Sequence, residues 1–150
     1  MHPNGSAAES RGLTRSFARL SLLPLFVLLC QCSLGASASE KAAAGRISHA
    51  IDQLRAAPNA QKGELLAGLK GVTCETPELC ELQRVCADGY AQHVFALAET
   101  ARAKSLVGTP NGAAEAARIL DFAQSELTLA APKISHCADA QGVTQRKYKL

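Results

Sequence analysis

The chain has 150 residues, with 16 Lys plus Arg against 13 Asp plus Glu and a formal net charge of +3. That length suits a single domain. Hydrophobic residues at 47% and charged residues at 19% exclude a disordered chain, and so small a net charge excludes a basic nucleic-acid surface. Aromatic residues make up only 4%, with no tryptophan, so the core has to be aliphatic and alanine-rich.

The N-terminal segment reads as an address. Arg11, Arg15 and Arg19 precede an apolar run from Leu20 to Cys30, and the small residues Ala36-Ser37-Ala38 follow. Basic segment, apolar segment and A-x-A-like site is the order of a secretory signal peptide. The apolar run falls well short of the ~20 residues that span a bilayer. The expectation is a cleaved signal over residues 1–38 and a single helical domain over 39–150, exported to the periplasm or extracellular space, with no stable membrane span after cleavage. A retained anchor and lipidation at Cys30 or Cys32 are the alternatives. The bulky Leu29 and Gln31 before those cysteines speak against lipidation. Residues 39–150 hold 13 basic and 12 acidic side chains, and Arg146, Lys147 and Lys149 concentrate three of the positives in a short basic C-terminal tail. A frayed, solvated terminus is the expected state of that tail; contact with an anionic surface is the alternative.

The first predicted helix runs from about Glu40 to Ala57, with Ala43, Ile47, Ala50, Ile51 and Leu54 on one face and Pro58 as its stop. The second runs from about Ala60 to Lys70, with Asn59 as its cap, Leu65, Leu66 and Leu69 inward and Gly71 at its end. Thr76-Pro77-Glu78 then reads as a helix start: a capping hydroxyl, a proline at the first helical position and an acid in the first turn. The third helix continues to about Leu106, and Leu79, Leu82, Cys86, Tyr90, His93, Leu97 and Ala101 form its inward stripe. Gly108 to Gly112 breaks the chain. A fourth helix is predicted to about Ala130, with Ala113, Ala116, Ile119, Leu120, Ala123 and Leu127 inward and Pro132 ending it. No segment alternates like a strand, and 23 of residues 39–150 are alanine, the best helix former. The predicted fold is all-α: a small, antiparallel four-helix bundle stapled by two disulfides.

Cys74, Cys80, Cys86 and Cys137 remain after the signal, and an even set in a short exported chain reads as a disulfide framework. On one helix, Cys80 and Cys86 lie ~9 Å apart along the axis and ~120° apart around it. A disulfide requires Cα atoms within ~7 Å, which removes that pair. Two pairings remain: Cys74 with Cys80 and Cys86 with Cys137, or Cys74 with Cys86 and Cys80 with Cys137. The first is preferred, because Cys74 sits just before the helix cap and folds back more easily on the first turn. The C-x₅-C-x₅-C spacing fits neither zinc sites nor redox C-x-x-C motifs.

No catalytic motif is present, and paired cysteines leave no thiol nucleophile. No bound metal is expected. His93, within the apolar stripe, and His136, beside Cys137, are the weak candidates for a metal pair, without a firm third ligand; the expected cofactor is likewise none. His49 is expected to be solvated. Phe95 and Phe122, the latter with Leu129 nearby, break the binary pattern by falling on polar faces. Either the first helix or the C-terminal tail covers them, or they form a surface for a partner or for self-association. The functional expectation is a non-enzymatic binding or interaction module with an unknown protein or envelope partner and no nucleic acid. The alternatives are a metal- or small-ligand-carrying bundle centred on His93, and an enzyme without a recognisable motif.

Overall fold

The computed structural model describes residues 35–150. Most of the expected signal, including Cys30 and Cys32, lies outside the described residues. Four helices and no strand occur among the described residues.

Helix α1 spans Ala38–Ala56. It starts two residues earlier than the apolar pattern indicates, because Ser37-Ala38-Ser39-Glu40 is a capping box. Ser37 Oγ accepts from the Glu40 amide at 3.1 Å, and Glu40 Oε2 accepts from the Ser37 amide at 2.7 Å. A turn of 3₁₀ helix at Asn59–Gln61 leads into α2, Lys62–Gly71. Asn59 makes no capping hydrogen bond. The structure uses two long side chains to close these short elements instead. Lys62, only 7% exposed, donates from Nζ to the carbonyls of Leu54 and Arg55 at 2.8 and 3.1 Å. It thereby brings a cation to orphan carbonyls at the negative end of α1. Gln83 Nε2 does the same for α2, donating to the carbonyls of Leu69 and Val72 at 2.7 and 2.6 Å.

Helix α3 spans Pro77–Leu106, as its start signal predicts, with Thr76 Oγ1 accepting from the Leu79 amide at 3.3 Å. The reversal after it places Asn111 at φ 64°, a left-handed conformation that asparagine tolerates. Helix α4 then spans Gly112–Tyr148. The expected stop at Pro132, with the helix ending near Ala130, is not observed. An interior proline leaves the carbonyl four residues back without its amide partner, at a cost of ~3 kcal/mol. That carbonyl belongs to Thr128, and both Thr128 and Pro132 are on the exposed side, where water can serve it. Fully buried Ala130 and Cys137 hold the helix on either side of the proline. The tail is not frayed either. It is helical to Tyr148, whose ring is 4% exposed in the core, and Lys147 forms an ion pair with Glu78.

The preferred cysteine pairing is the one present. Cys74 bonds Cys80 with Cα atoms 5.1 Å apart, and Cys86 bonds Cys137 with Cα atoms 4.7 Å apart. The second bridge joins α3 to α4, the most extensively packed helix pair. These two helices form an antiparallel hairpin with a seam of small residues: Ala96, Ala103, Ala116, Ala123 and Ala130 are each at most 3% exposed. At Gly89 a Cβ would stand 3.1 Å from the main-chain carbon of Lys133.

Helices α1 and α2 pack on one side of the hairpin, toward the end that holds the disulfides. The main core forms there from Ile47, Ile51, Leu54, Leu69, Leu79 and Tyr90, with Cys86 and Cys137 among them. Gln141 adds a polar clasp, donating to the Ser48 carbonyl and Asp52 at 3.1 and 3.0 Å and accepting from Arg55 at 2.6 Å. Toward the loop end only a small cluster of Ala103, Ala116 and Ile119 is buried. Ala113 and Leu120, expected inward, are exposed because past the reach of α1 and α2 each hairpin helix has a single neighbour, and Ala101, also expected inward, is exposed in the open groove beside Asn59 and Gly63.

Candidate functional site: the open face of the hairpin

Among the described residues, no element covers the side of the hairpin away from α1 and α2. At ~100° per residue, Glu81, Val85, Asp88, Gln92, Phe95 and Glu99 of α3 fall on one stripe. Phe122, Glu126, Leu129, Lys133, His136, Ala140 and Val143 do the same on α4. The alternating spacing of three and four residues keeps both stripes on one side of the hairpin, as in a coiled coil.

Direct contacts show that the two stripes adjoin. Gln92 Nε2 donates to Glu126 Oε2 at 2.9 Å, and Arg102 lies 3.9 Å from Glu115. Phe95 meets Phe122 edge to face, with ring centroids 5.9 Å apart and planes at 85°. Their off-pattern placement is therefore one feature, not two. The expectation that α1 or the tail covers them does not hold: they are 46% and 47% exposed, and Leu129 and Val143 are 55% and 53% exposed. Helix α1 sits on the opposite side, and the tail is occupied with Glu78 and the core.

Toward the disulfide end the face dips into two adjoining grooves of about 270 and 260 Å³, both lined by Glu81, Val85 and His136. Ala140 and Val143 extend the floor of the first, and Asp88 and Lys133 flank the second. Acidic side chains predominate on the α3 stripe, with Glu81, Asp88 and Glu99, but Arg84 pairs with Glu81 and Asp88 and Arg102 with Glu99. The α4 side carries Arg118, Lys133 and Lys147 against Glu115 and Glu126, and Lys147 pairs with Glu78. The Glu81 carboxyl is held below its usual range by hydrogen bonding from Arg84, so Glu81 itself stays ionised well below neutrality.

The structure does not bring His93 and His136 together. His136 adjoins the Cys86–Cys137 bridge, whereas His93 lies two turns further along α3, about 10 Å up the axis. Among the described residues no group of three His, Cys, Asp or Glu side chains is placed to hold a metal ion. His93 is half-buried next to Lys62. Burial first, and the Lys62 ammonium second, lower its pKa from 6.5. The fold thus favours the neutral ring, and as pH falls the unfolded chain takes up the proton first. The contribution of His93 to stability is complete above about 6.5 and is lost as pH falls from there toward the folded value. Thermal melts between about pH 7.5 and 5.5, above the carboxylate range, should show Tm falling with pH. His93→Gln should reduce that fall. An unchanged slope in the variant refutes the assignment.

A further groove of about 450 Å³ lies on the other side of α3, between Asn59, Gly63, Val94, Leu97 and Ala101. Its lining is mainly apolar, with Asn59, Thr100 and Lys104 as the polar side chains among it. No family model matches the chain, and no curated protein and no solved structure matches it at a significant level. The reading of function therefore rests on the geometry of the molecule.

Proposed function

We propose that the protein is an exported, non-enzymatic interaction module, working in the periplasm or extracellular space, whose contact surface is the open face of α3 and α4. The observation that carries this reading is the Phe95–Phe122 pair, half-exposed at the middle of a two-helix face that no part of the described chain covers. Burying such rings is worth far more at an interface than in water, and aromatic residues are enriched in the desolvated centres of protein contacts. The flanking charges and amides resemble the polar rim of such a contact. Two disulfides in so short a domain support export, because such bonds persist in oxidising compartments. The basic, apolar and small-residue order of the first 38 residues supports it independently.

Site-specific photo-cross-linking in the native organism tests the proposal. A photoreactive side chain at Leu129 should give a discrete adduct with a macromolecule, and one at Ala42, exposed on α1, should not. Phe95→Ser combined with Phe122→Ser should abolish the Leu129 adduct. The pair is exposed, and an aromatic contact is worth only ~0.5–1.5 kcal/mol, so the melting curve should shift little. Absence of adducts from Leu129, or adducts that survive the double substitution, overturns the assignment of the surface.

A further inference from the structure

We infer that the open face docks a second copy of this chain, with α3 of each copy lying antiparallel against α4 of the other about a twofold axis that runs along the hairpin. This inference rests on the interaction surface proposed above and names its occupant.

Three observations select a second copy. The first is the division of charge. A twofold axis along the hairpin sets Glu81, Asp88 and Glu99 of each α3, which Arg84 and Arg102 only partly neutralise, over the α4 side, where Arg118, Lys133 and Lys147 stand against Glu115 and Glu126. Asp88 and Lys133 flank the same groove within one copy, so Asp88 then faces Lys133 of the second copy, and the reverse contact follows by symmetry. An axis across the hairpin would instead set α3 on α3 and oppose Glu81, Asp88 and Glu99 to the same acids, which like-charge repulsion disfavours.

The second observation is the level of the aromatic pair. Phe95 and Phe122 lie side by side across the face. An axis along the hairpin keeps heights unchanged, so the two rings of one copy meet the two rings of the other. Four rings then form one cluster at the middle of the contact, and the half-exposed edges of each pair become buried. The chain direction is also consistent. Each of the four helices in the assembly runs antiparallel to both of its neighbours, as in an up-and-down four-helix bundle.

The third observation is size. From Glu78 to Arg102 the face is ~36 Å long, and two helices side by side are ~20 Å wide. Contact over that face buries ~700 Å² on each copy, or ~1,400 Å² in total, within the range of stable specific interfaces.

The test uses the oxidised protein purified after export, measured by sedimentation equilibrium together with circular dichroism. The native protein should sediment at twice the mass of one chain. Asp88→Lys alone and Lys133→Asp alone should each sediment as single chains with unchanged helicity, because each opposes like charges across the contact. The double variant Asp88→Lys with Lys133→Asp should recover the dimer, and so should an equimolar mixture of the two single variants. Phe95→Glu combined with Phe122→Glu should give single chains. A native protein that remains a single chain at ~100 µM, above the micromolar-to-picomolar affinities of interfaces of this size, overturns the inference. So does a dimer indifferent to these changes, or one that the charge-swapped double variant fails to restore. A single chain in solution with a Leu129 adduct to a different macromolecule would overturn only the choice of occupant and leave the interaction surface in place. A dimer by sedimentation without any Leu129 adduct would place the contact away from this face and overturn both the surface and the pairing.

Discussion

Replacing Cys86 and Cys137 together by alanine is expected to lower the free energy of unfolding by about 4 kcal/mol, the larger of the two disulfide effects. The bridge closes a loop with a sequence separation of 51. In the chain-entropy account the unfolded ensemble regains about 4 kcal/mol of freedom when such a loop is opened, against about 2 kcal/mol for the separation of 6 closed by Cys74 and Cys80. Both sulfurs of the long bridge are fully buried in the main core, so truncation to alanine also removes packed atoms and adds to the loss. For a domain of this size the Tm should fall on the order of 15 °C. Urea unfolding of the oxidised native protein, Cys86→Ala/Cys137→Ala and Cys74→Ala/Cys80→Ala should therefore rank native above the short-loop variant and the short-loop variant above the long-loop one. Equal losses would show that the unfolded chain already holds α3 near α4. The reverse ranking would mean that the short bridge carries the native fold, and the picture of a hairpin pinned toward the end away from its loop would fail.

That same pin explains why some elements were legible in the sequence and others were not. The start of α3 was legible because Thr76, Pro77 and Glu78 act locally: each side chain favours a helix start whatever surrounds it. The disulfide pairing was legible because it follows from that rod, along which Cys80 and Cys86 point in different directions. The end of α4 was not. Pro132 is a local stop signal, but Ala130, Cys137 and Tyr148 are anchored in contacts that the local sequence does not show, and the unpaired carbonyl falls on the wet side. Tertiary packing outweighed propensity there. The start of α1 was concealed differently. Ser37 and Glu40 form a standard capping box, but they overlap the small residues that also read as a cleavage site. The helix closures by Lys62 and Gln83 depend on side chains reaching back from the next element, and periodicity contains no signal for that. Phe95 and Phe122 were visible as exceptions to the binary pattern. What the sequence could not supply was their mutual contact, since it requires the register of α3 against α4.

The register makes its strongest demand at Gly89. In a solvent-exposed helix, glycine to alanine should stabilise by ~1 kcal/mol, because alanine restricts the unfolded chain and favours the helix. Gly68 in α2 meets this condition, since a Cβ there would touch nothing within 4 Å, and Gly68→Ala is expected to raise the Tm. Gly89→Ala is expected to lower it. A Cβ at Gly89 would lie 3.1 Å from the carbonyl carbon of Lys133, 3.2 Å from the Ile134 nitrogen and 3.2 Å from Lys133 Cβ. Two of these three are main-chain atoms of α4, which no rotamer change can move aside. The helix as a whole would have to shift by a few tenths of an ångström, and the Cys86–Cys137 bridge, one turn away, resists that shift. Overpacking of this kind costs ~1–3 kcal/mol, enough to reverse the propensity gain, and Gly89→Leu should cost more than Gly89→Ala. The two effects should also be coupled. In the Cys86→Ala/Cys137→Ala background α4 is free to move away, so Gly89→Ala should cost less than in the bridged protein, a departure from additivity that a double-mutant cycle reads directly. If Gly89→Ala stabilised the bridged protein as Gly68→Ala does, the two main chains could not approach as closely as the seam requires. The alignment of Phe95 with Phe122 and of Asp88 with Lys133, both fixed by that register, would then have to be redrawn.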